Sequence, residues 1–294
     1  MSTGNKSRFT SLRPGLSIGI IGNGFVGDAV HNGFSEQNIL CKVYDKDPMK
    51  TLNTIEEVLD CDFVFVCLPT PMTNESGGHA DLSILIDFFN YVIQVDATEA
   101  VYIIKSTVPV GTTEMINSLS ENLQVVHNPE FLTAANARSD FLNAERTVIG
   151  GENDVCEKVS EMLKNTILHQ YEDPIIVSSD ESELTKYASN CFLALKVSYF
   201  NMIYQLCEKR NIDFKNVVSA TCSDSRIGNS HSSVPGPDGD FGYGGTCFPK
   251  DINAMIKTLW EHDVDSRMLE ASWNQNLQVR KNRDWANNPS AVSN

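Results

Sequence analysis

From Leu16 to about Ser179 the chain alternates short runs of β-branched, aliphatic and aromatic residues with longer amphipathic stretches. The runs LSIGIIG, CKVYD, FVFVCLP, AVYIIKST, LQVVHN, RTVIGG and PIIVSS are strand-sized, and helical patterns fit between several of them, notably after Gly24, from Asp81 and from Asp154. This alternation predicts a parallel sheet covered by helices on both faces, the doubly wound α/β architecture of Rossmann type. Past Ser179 the texture changes. DESELTKYASNCFLALKVSYFNMIYQLCEKR forms one helical pattern without Gly or Pro, acidic at its start and basic at its end, as the helix dipole favours. A helix over about 213–221, a Gly/Pro/Ser-rich loop over about 223–246 and helices to about 285 follow. The expected organisation is a flexible lead-in (1–15), an α/β domain (16–179), an all-helical domain (180–285) and a polar tail (286–294).

Composition narrows the class. Hydrophobic residues make up 41% of the 294 positions and charged residues 21%, ordinary values for a globular chain. The longest apolar runs fall far short of the roughly 20 residues that a spanning helix needs. The opening residues lack the apolar core of a signal peptide. A net charge of −15 argues against nucleic acid as a partner, yet a few cations and backbone amides in one cleft can still hold a nucleotide. Eight cysteines without a Cys-x-x-Cys pair suit a reducing cytoplasm and neither a disulfide nor a zinc scaffold, so no metal is expected.

Two stretches carry chemistry. IGIIGNGFVGDAV sets Gly22, Gly24 and Gly27 in Gly-x-Gly-x-x-Gly spacing between a strand and a helix, and Asp45 ends the next strand 18 residues after Gly27. In a dinucleotide turn Gly22 permits the bend, Gly24 leaves room for pyrophosphate and Gly27 lets helix and strand approach. Asn23, Phe25 and Val26 complete the turn. Asp45 would accept from the ribose hydroxyls and repel a 2′-phosphate, which favours NAD over NADP. In the second stretch, GYGGTCFPKD, Pro249 suits the first turn of a helix, so Cys247 sits at or just before its N-terminus. The helix dipole and Lys250 favour thiolate, and the glycines leave space for a ligand. The alternative is a half-buried cysteine in a capping loop.

IIGNGFVG, LPTP, KSTVPVGT, NPEFL, LTKYASN, DSRIG and GYGGTCFPKD occur in an order that resembles the UDP-glucose/GDP-mannose dehydrogenase family, over about residues 16–285. The resemblance is nearest to its UDP-glucose-oxidising members. It implies a helical domain like that of 6-phosphogluconate dehydrogenase, a homodimer, and NAD-dependent four-electron oxidation of the C6 alcohol of a nucleotide sugar to a carboxylate. Cys247 would hold the intermediate aldehyde as a thiohemiacetal and then a thioester. Lys186 and Asn190, four apart on one helix face, would stabilise oxyanion charge; the alternative is two solvated positions. The resemblance further makes Glu130 the base for water in thioester hydrolysis, has Asp251 and Lys186 assist the first oxidation through a bound water, and puts Thr107 near that bound water and the cofactor. Arg226, Phe131, Leu132 and the loop Phe241, Gly242, Tyr243 and Gly244 would contact substrate. Lys50, Pro69, Thr70, Ser106 and Lys250 would contact cofactor, Lys250 beside it or the thiol. Two departures stand out: Ala134 replaces a frequent cofactor-facing glutamate, and no sequence follows that would encode the family's third, nucleotide-closing domain. The competing readings are a two-electron hydroxyacid or sugar-acid dehydrogenase, which needs no covalent trap, and a non-catalytic NAD-binding module.

Overall fold

The computed structural model describes residues 16–73, 78–132, 137–167 and 173–292, so the expected lead-in and Ala134 lie outside the described residues. The described chain forms two compact units. One takes the residues up to Leu68 with Leu85–Ser106 and Val110–Glu183, the other Pro69–Ile84, Thr107–Pro109 and the residues from Leu184 onward.

The first unit holds β1 (Ile18–Ile21), α1 (Phe25–Glu36), β2 (Cys41–Tyr44), α2 (Ile55–Leu59), β3 (Phe63–Val66), α3 (Ser83–Gln94), β4 (Val101–Ile104), α4 (Thr112–Asn117), β5 (Gln124–His127), α5 (Ala137–Leu142), β6 (Val148–Gly150), α6 (Asn153–Thr166) and β7 (Ile175–Val177). They build a sheet of order β2-β1-β3-β4-β5-β6-β7. Every residue of β1, β3 and β4 is buried, which is why these strands read as continuous apolar runs and not as alternating ones. Pairing is parallel from β2 to β5, with Ile18 of β1 level with both Cys41 and Phe63. The wholly parallel sheet expected from the alternation needs one correction: β5 and β6 pair antiparallel through His127 and Gly150, and β7 then runs parallel to β6. Phe34 of α1 packs its ring 5.4 Å from Phe65 and 6.0 Å from Phe141 of α5. Gly33 is glycine because a Cβ there would overlap the Phe141 ring.

The second unit holds α7 (Ser179–Arg210, from Leu184 on), α8 (Phe214–Cys222), α9 (Phe248–Glu261) and α10 (Arg267–Val279). Its core joins Met72, Cys191, Ala194, Tyr243, Ile252, Ile256, Trp273 and Trp285, with the two indoles 5.6 Å apart. The segment expected as a polar tail is not free: Ala291 is buried, and its carbonyl accepts from the Met72 amide at 2.7 Å. α7 has two apolar faces. Tyr187, Cys191, Ala194 and Ser198 are buried, whereas Leu184, Phe192, Tyr199, Met202 and Leu206 are exposed, at spacings of eight, seven, three and four residues that keep them on one strip adjoining the buried face.

Candidate active site

In the first unit the glycine turn links β1 to α1. Gly22 has φ +87° and donates to the Tyr44 carbonyl at 2.9 Å. A Cβ on Gly27 would run into the Gly22 carbonyl oxygen, while one on Gly24 would meet nothing within 4 Å. The three glycines thus serve the bend, the close helix contact and an open approach. Gly24 is the N-cap of α1 and contributes no side-chain cap, so amides at that helix start remain for an anion. Asp45, at the end of β2, accepts from the amides of Asn23 (2.6 Å) and Asp47 (2.8 Å). The Asn23 side-chain nitrogen donates to the Lys50 carbonyl at 2.8 Å, and its Oδ1 is buried without a partner. An orphaned buried acceptor beside an open glycine and an uncapped helix start fits a bound dinucleotide. Phe25 and the Lys50 side chain are exposed.

In the second unit Cys247 is the N-cap of α9, half-buried, with Pro249 in the first turn. Its carbonyl accepts from the Asp251 amide at 2.8 Å, and its sulfur lies 3.8 Å from the Thr246 hydroxyl. Asp251 is fully buried and holds two partners: Lys250 Nζ donates to one carboxylate oxygen at 2.6 Å and the Asn190 amide to the other at 2.6 Å. Lys250, expected beside the cofactor or the thiol, donates its ammonium to the neighbouring carboxylate. Cys191 stands under the same turn, its Sγ 3.7 Å from the Asp251 carbonyl, and burial raises its thiol. Lys186 is 2% exposed on the same helix as Asn190.

The other predicted residues are distributed as follows. Glu130 is buried and accepts from the Leu132 amide at 2.7 Å; Phe131 carries the Arg146 guanidinium over its ring at 4.0 Å. Thr70 donates to the Thr107 carbonyl at 2.6 Å, next to a half-buried Pro69, and Ser106 donates to the Leu68 carbonyl at 2.6 Å. Arg226 is exposed and folded back on Asp224, whose carboxyl it holds below the usual range. Tyr243, expected along the substrate path, has its ring in the core between Phe248 and Trp273, and its amide and carbonyl pair with the Asn276 side chain at 2.8 and 2.9 Å. Phe241 packs on Tyr204 at 5.5 Å. Gly242 and Gly244 are crowded from behind, since a Cβ on either would overlap Asn276 or Arg280 of the α10 end; Gly245, like Gly239, opens on free space.

Several buried polar residues of the first unit were not singled out from the sequence. His127 pairs through Nδ1 with Ser182 (2.9 Å) and through Nε2 with the Ser106 carbonyl (3.2 Å), which assigns the proton to Nε2. Lys105, 4% exposed, donates to Asn128 Oδ1 at 2.9 Å. Glu183 accepts from the Gly111 amide (2.6 Å), the Thr113 amide (2.8 Å) and the Thr113 hydroxyl (2.6 Å), capping α4 from a distant part of the chain. Burial pushes its carboxyl up to about 7 against these bonds.

A dinucleotide turn in one unit and a helix-start thiol with a buried Lys–Asp–Asn network in the other define a two-unit protein of the dehydrogenase class. The comparisons with known proteins make this specific. The NAD binding domain of the UDP-glucose/GDP-mannose dehydrogenase family matches residues 37–168, and the central domain of the same family matches residues 180–278. A UDP-glucose 6-dehydrogenase of Rickettsia bellii is 36% identical over 220 residues, 74% of this chain and 49% of that protein. One of Rickettsia conorii is 31% identical over 304 residues, 91% of this chain and 68% of that protein. The chain thus spans about half the length of the first of these relatives and two thirds of the second. A solved UDP-glucose dehydrogenase of Pyrobaculum islandicum superposes with TM-score 0.79 at 26% identity, covering 91% of this chain and 70% of its own. A 3-hydroxyisobutyrate dehydrogenase of Mycobacterium tuberculosis shares the fold at 14% identity and TM-score 0.68. The chain belongs to the UDP-glucose/GDP-mannose dehydrogenase family, and NAD is its cofactor.

Proposed function

We propose that this chain carries the cofactor and thiol parts of a nucleotide-sugar 6-dehydrogenase that oxidises UDP-glucose at C6 to the uronic acid. The observation that supports this reading most is Cys247: a half-buried thiol at the N-cap of α9, beside Gly245, whose side is open, with Asp251, Lys250 and Asn190 linked beneath the first turn. The names of the curated relatives support the substrate.

Loss of a hydride and a proton converts the C6 alcohol to an aldehyde. The Cys247 sulfur adds to that carbon while a proton goes to the oxygen, which gives a thiohemiacetal. Loss of a second hydride and the hydroxyl proton leaves a thioester. Water attacks it, the C–S bond breaks, and carboxylate and thiol are released. NAD would supply the hydride acceptor, one molecule for each oxidation, with the first NADH exchanged for a second NAD between them. Gly22, Gly24, Gly27 and Asn23 would hold it, with Asp45 on the ribose. Lys186 and Asn190 stabilise charge developing on the reacting oxygen, and Asp251 fixes the Asn190 amide and the Lys250 ammonium. Thr107 accompanies the water of the first oxidation, and Glu130 is the base for the hydrolytic one.

The exposed stripe of α7, Leu184 to Leu206, supports assembly as a homodimer. No disulfide joins any of the eight cysteines, which supports a reducing, cytoplasmic setting; among the described residues no helix is long and apolar enough to cross a membrane. The test is purified protein with NAD and a panel of UDP- and GDP-sugars, followed by NADH absorbance. UDP-glucose should give the highest kcat/KM. NADH formation with hydroxyacids alone would move the chain to the two-electron reading, and NAD binding without turnover of any sugar to the non-catalytic one.

A further inference from the structure

We propose that Arg280, which follows α10, is a positioning residue that straps the glycine loop 238–246 into its working shape. The inference rests on the proposed function for its kinetic consequence, but its structural content stands apart from it.

The Arg280 side chain is 2% exposed, and its partners lie in that loop or in the turn after α10. Nη2 donates to Asp238 Oδ2 at 2.7 Å and to Asp284 Oδ1 at 3.3 Å, Nη1 to the Phe241 carbonyl at 3.4 Å, and Nε to the Asn282 carbonyl at 2.8 Å. Asp284 in turn accepts from the Gly245 amide at 3.1 Å, and Asp240 from the Asn282 amide at 3.0 Å. The guanidinium fills the space where Gly244 has no Cβ. A planar fork with separate N–H directions can satisfy two carboxylates and two carbonyls at once, which a lysine ammonium at the end of a flexible stem cannot. The middle of the loop is anchored by the Tyr243 ring and its Asn276 bonds, whereas the flanks bend through positive φ at Gly239 and Gly245, and their shape depends on the Arg280 and Asp284 bonds. Cys247 is anchored separately by α9 through the Asp251 amide. Loosening the strap should therefore act on substrate binding more than on the chemical step.

The experiment compares wild type, Arg280→Lys and, as a milder variant at the half-exposed end of the strap, Asp238→Ala. Amide hydrogen exchange is read by mass spectrometry, iodoacetamide labelling at Cys247, and kcat and KM with UDP-glucose and NAD. Arg280→Lys should speed exchange at 239–241 and 245 at least tenfold without changing α9 or the Asn276-bonded amide of Tyr243, raise Cys247 labelling at least threefold, and raise KM for the sugar nucleotide about tenfold. Its kcat and KM for NAD should stay within threefold. Asp238→Ala should move exchange and KM in the same direction by about threefold, and it decides the matter if Arg280→Lys does not fold. Unchanged loop exchange in a folded variant overturns the strap. Faster exchange with unchanged sugar-nucleotide KM overturns the positioning role. If wild type turns over no sugar nucleotide, the proposed function fails, and exchange together with Cys247 labelling still judges Arg280.

Discussion

Replacing Asp251 by alanine should unfold the second unit more readily by about 4 kcal/mol. The carboxylate is 0% exposed and Lys250 6% exposed, so the substitution strands an ammonium that water does not reach and removes the acceptor of the Asn190 amide. Breaking a buried ion pair from one side costs about 3–5 kcal/mol, and a buried donor left unpaired adds about 1 kcal/mol or more. For a unit of this size each kcal/mol lowers Tm by roughly 3–4 °C, so a fall of roughly 15 °C is expected. Urea unfolding followed by tryptophan fluorescence reads it through Trp260, Trp273 and Trp285, all within the second unit. The double variant Lys250→Met/Asp251→Leu removes both charges and should recover at least half of the loss, since the desolvation cost goes with them. Asp251→Ala within about 1 kcal/mol of wild type, or a double variant less stable than the single one, would show that the pair is not buried as described.

Glu183 gives a pH test. Burial raises its carboxyl from 4.5 to about 7, so the folded state holds that proton more tightly than the unfolded chain; this contribution is full below about 4.5 and is lost as pH rises through 7. It is worth about 3 kcal/mol at most, and unfolding free energies at pH 5 and pH 8 should differ between wild type and Glu183→Gln by a comparable amount, a result absent if the carboxyl is ionised throughout. NAD should bind at least tenfold more tightly than NADP by calorimetry, and Asp45→Asn should narrow that ratio; equal affinities in wild type would remove Asp45 from the ribose site. Sedimentation should give a dimer, and charged residues at Phe192 and Leu206 together a monomer, whereas a wild-type monomer at every concentration contradicts the role given to the α7 stripe.

The strands were legible because burial on both faces leaves uninterrupted apolar runs, and α7 because its helical pattern meets no Gly or Pro. Short helices were harder to see. α2 starts with a Thr54–Glu57 capping box that the sequence displays, but α4 is capped by Glu183, 72 residues from Gly111, and no local pattern announces that. The reversal at β6 is set by chain connections, since a three-residue strand reads the same in either direction. At the site, spacing placed Cys247 at the start of α9, while the bond of the Lys250 ammonium to the adjacent Asp251 is not announced by it. The glycines of the 242–245 loop invited a ligand-side explanation, and at Gly242 and Gly244 the structure supplies one from behind, from Asn276 and Arg280. Such contacts join residues far apart in sequence, where periodicity carries no information.

The central claim is that Cys247 traps the aldehyde covalently so that four electrons leave each sugar. Its most direct measurement is the NADH produced per UDP-glucose consumed at completion, with the carboxylate quantified by mass spectrometry, in wild type and Cys247→Ser. The account predicts two NADH and one uronic acid per sugar with no free aldehyde. In Cys247→Ser it predicts a loss of at least about a hundredfold in rate, about 2.7 kcal/mol of barrier, because serine stays protonated where cysteine ionises. One NADH per sugar in wild type, or near-normal acid production by Cys247→Ser, would contradict it.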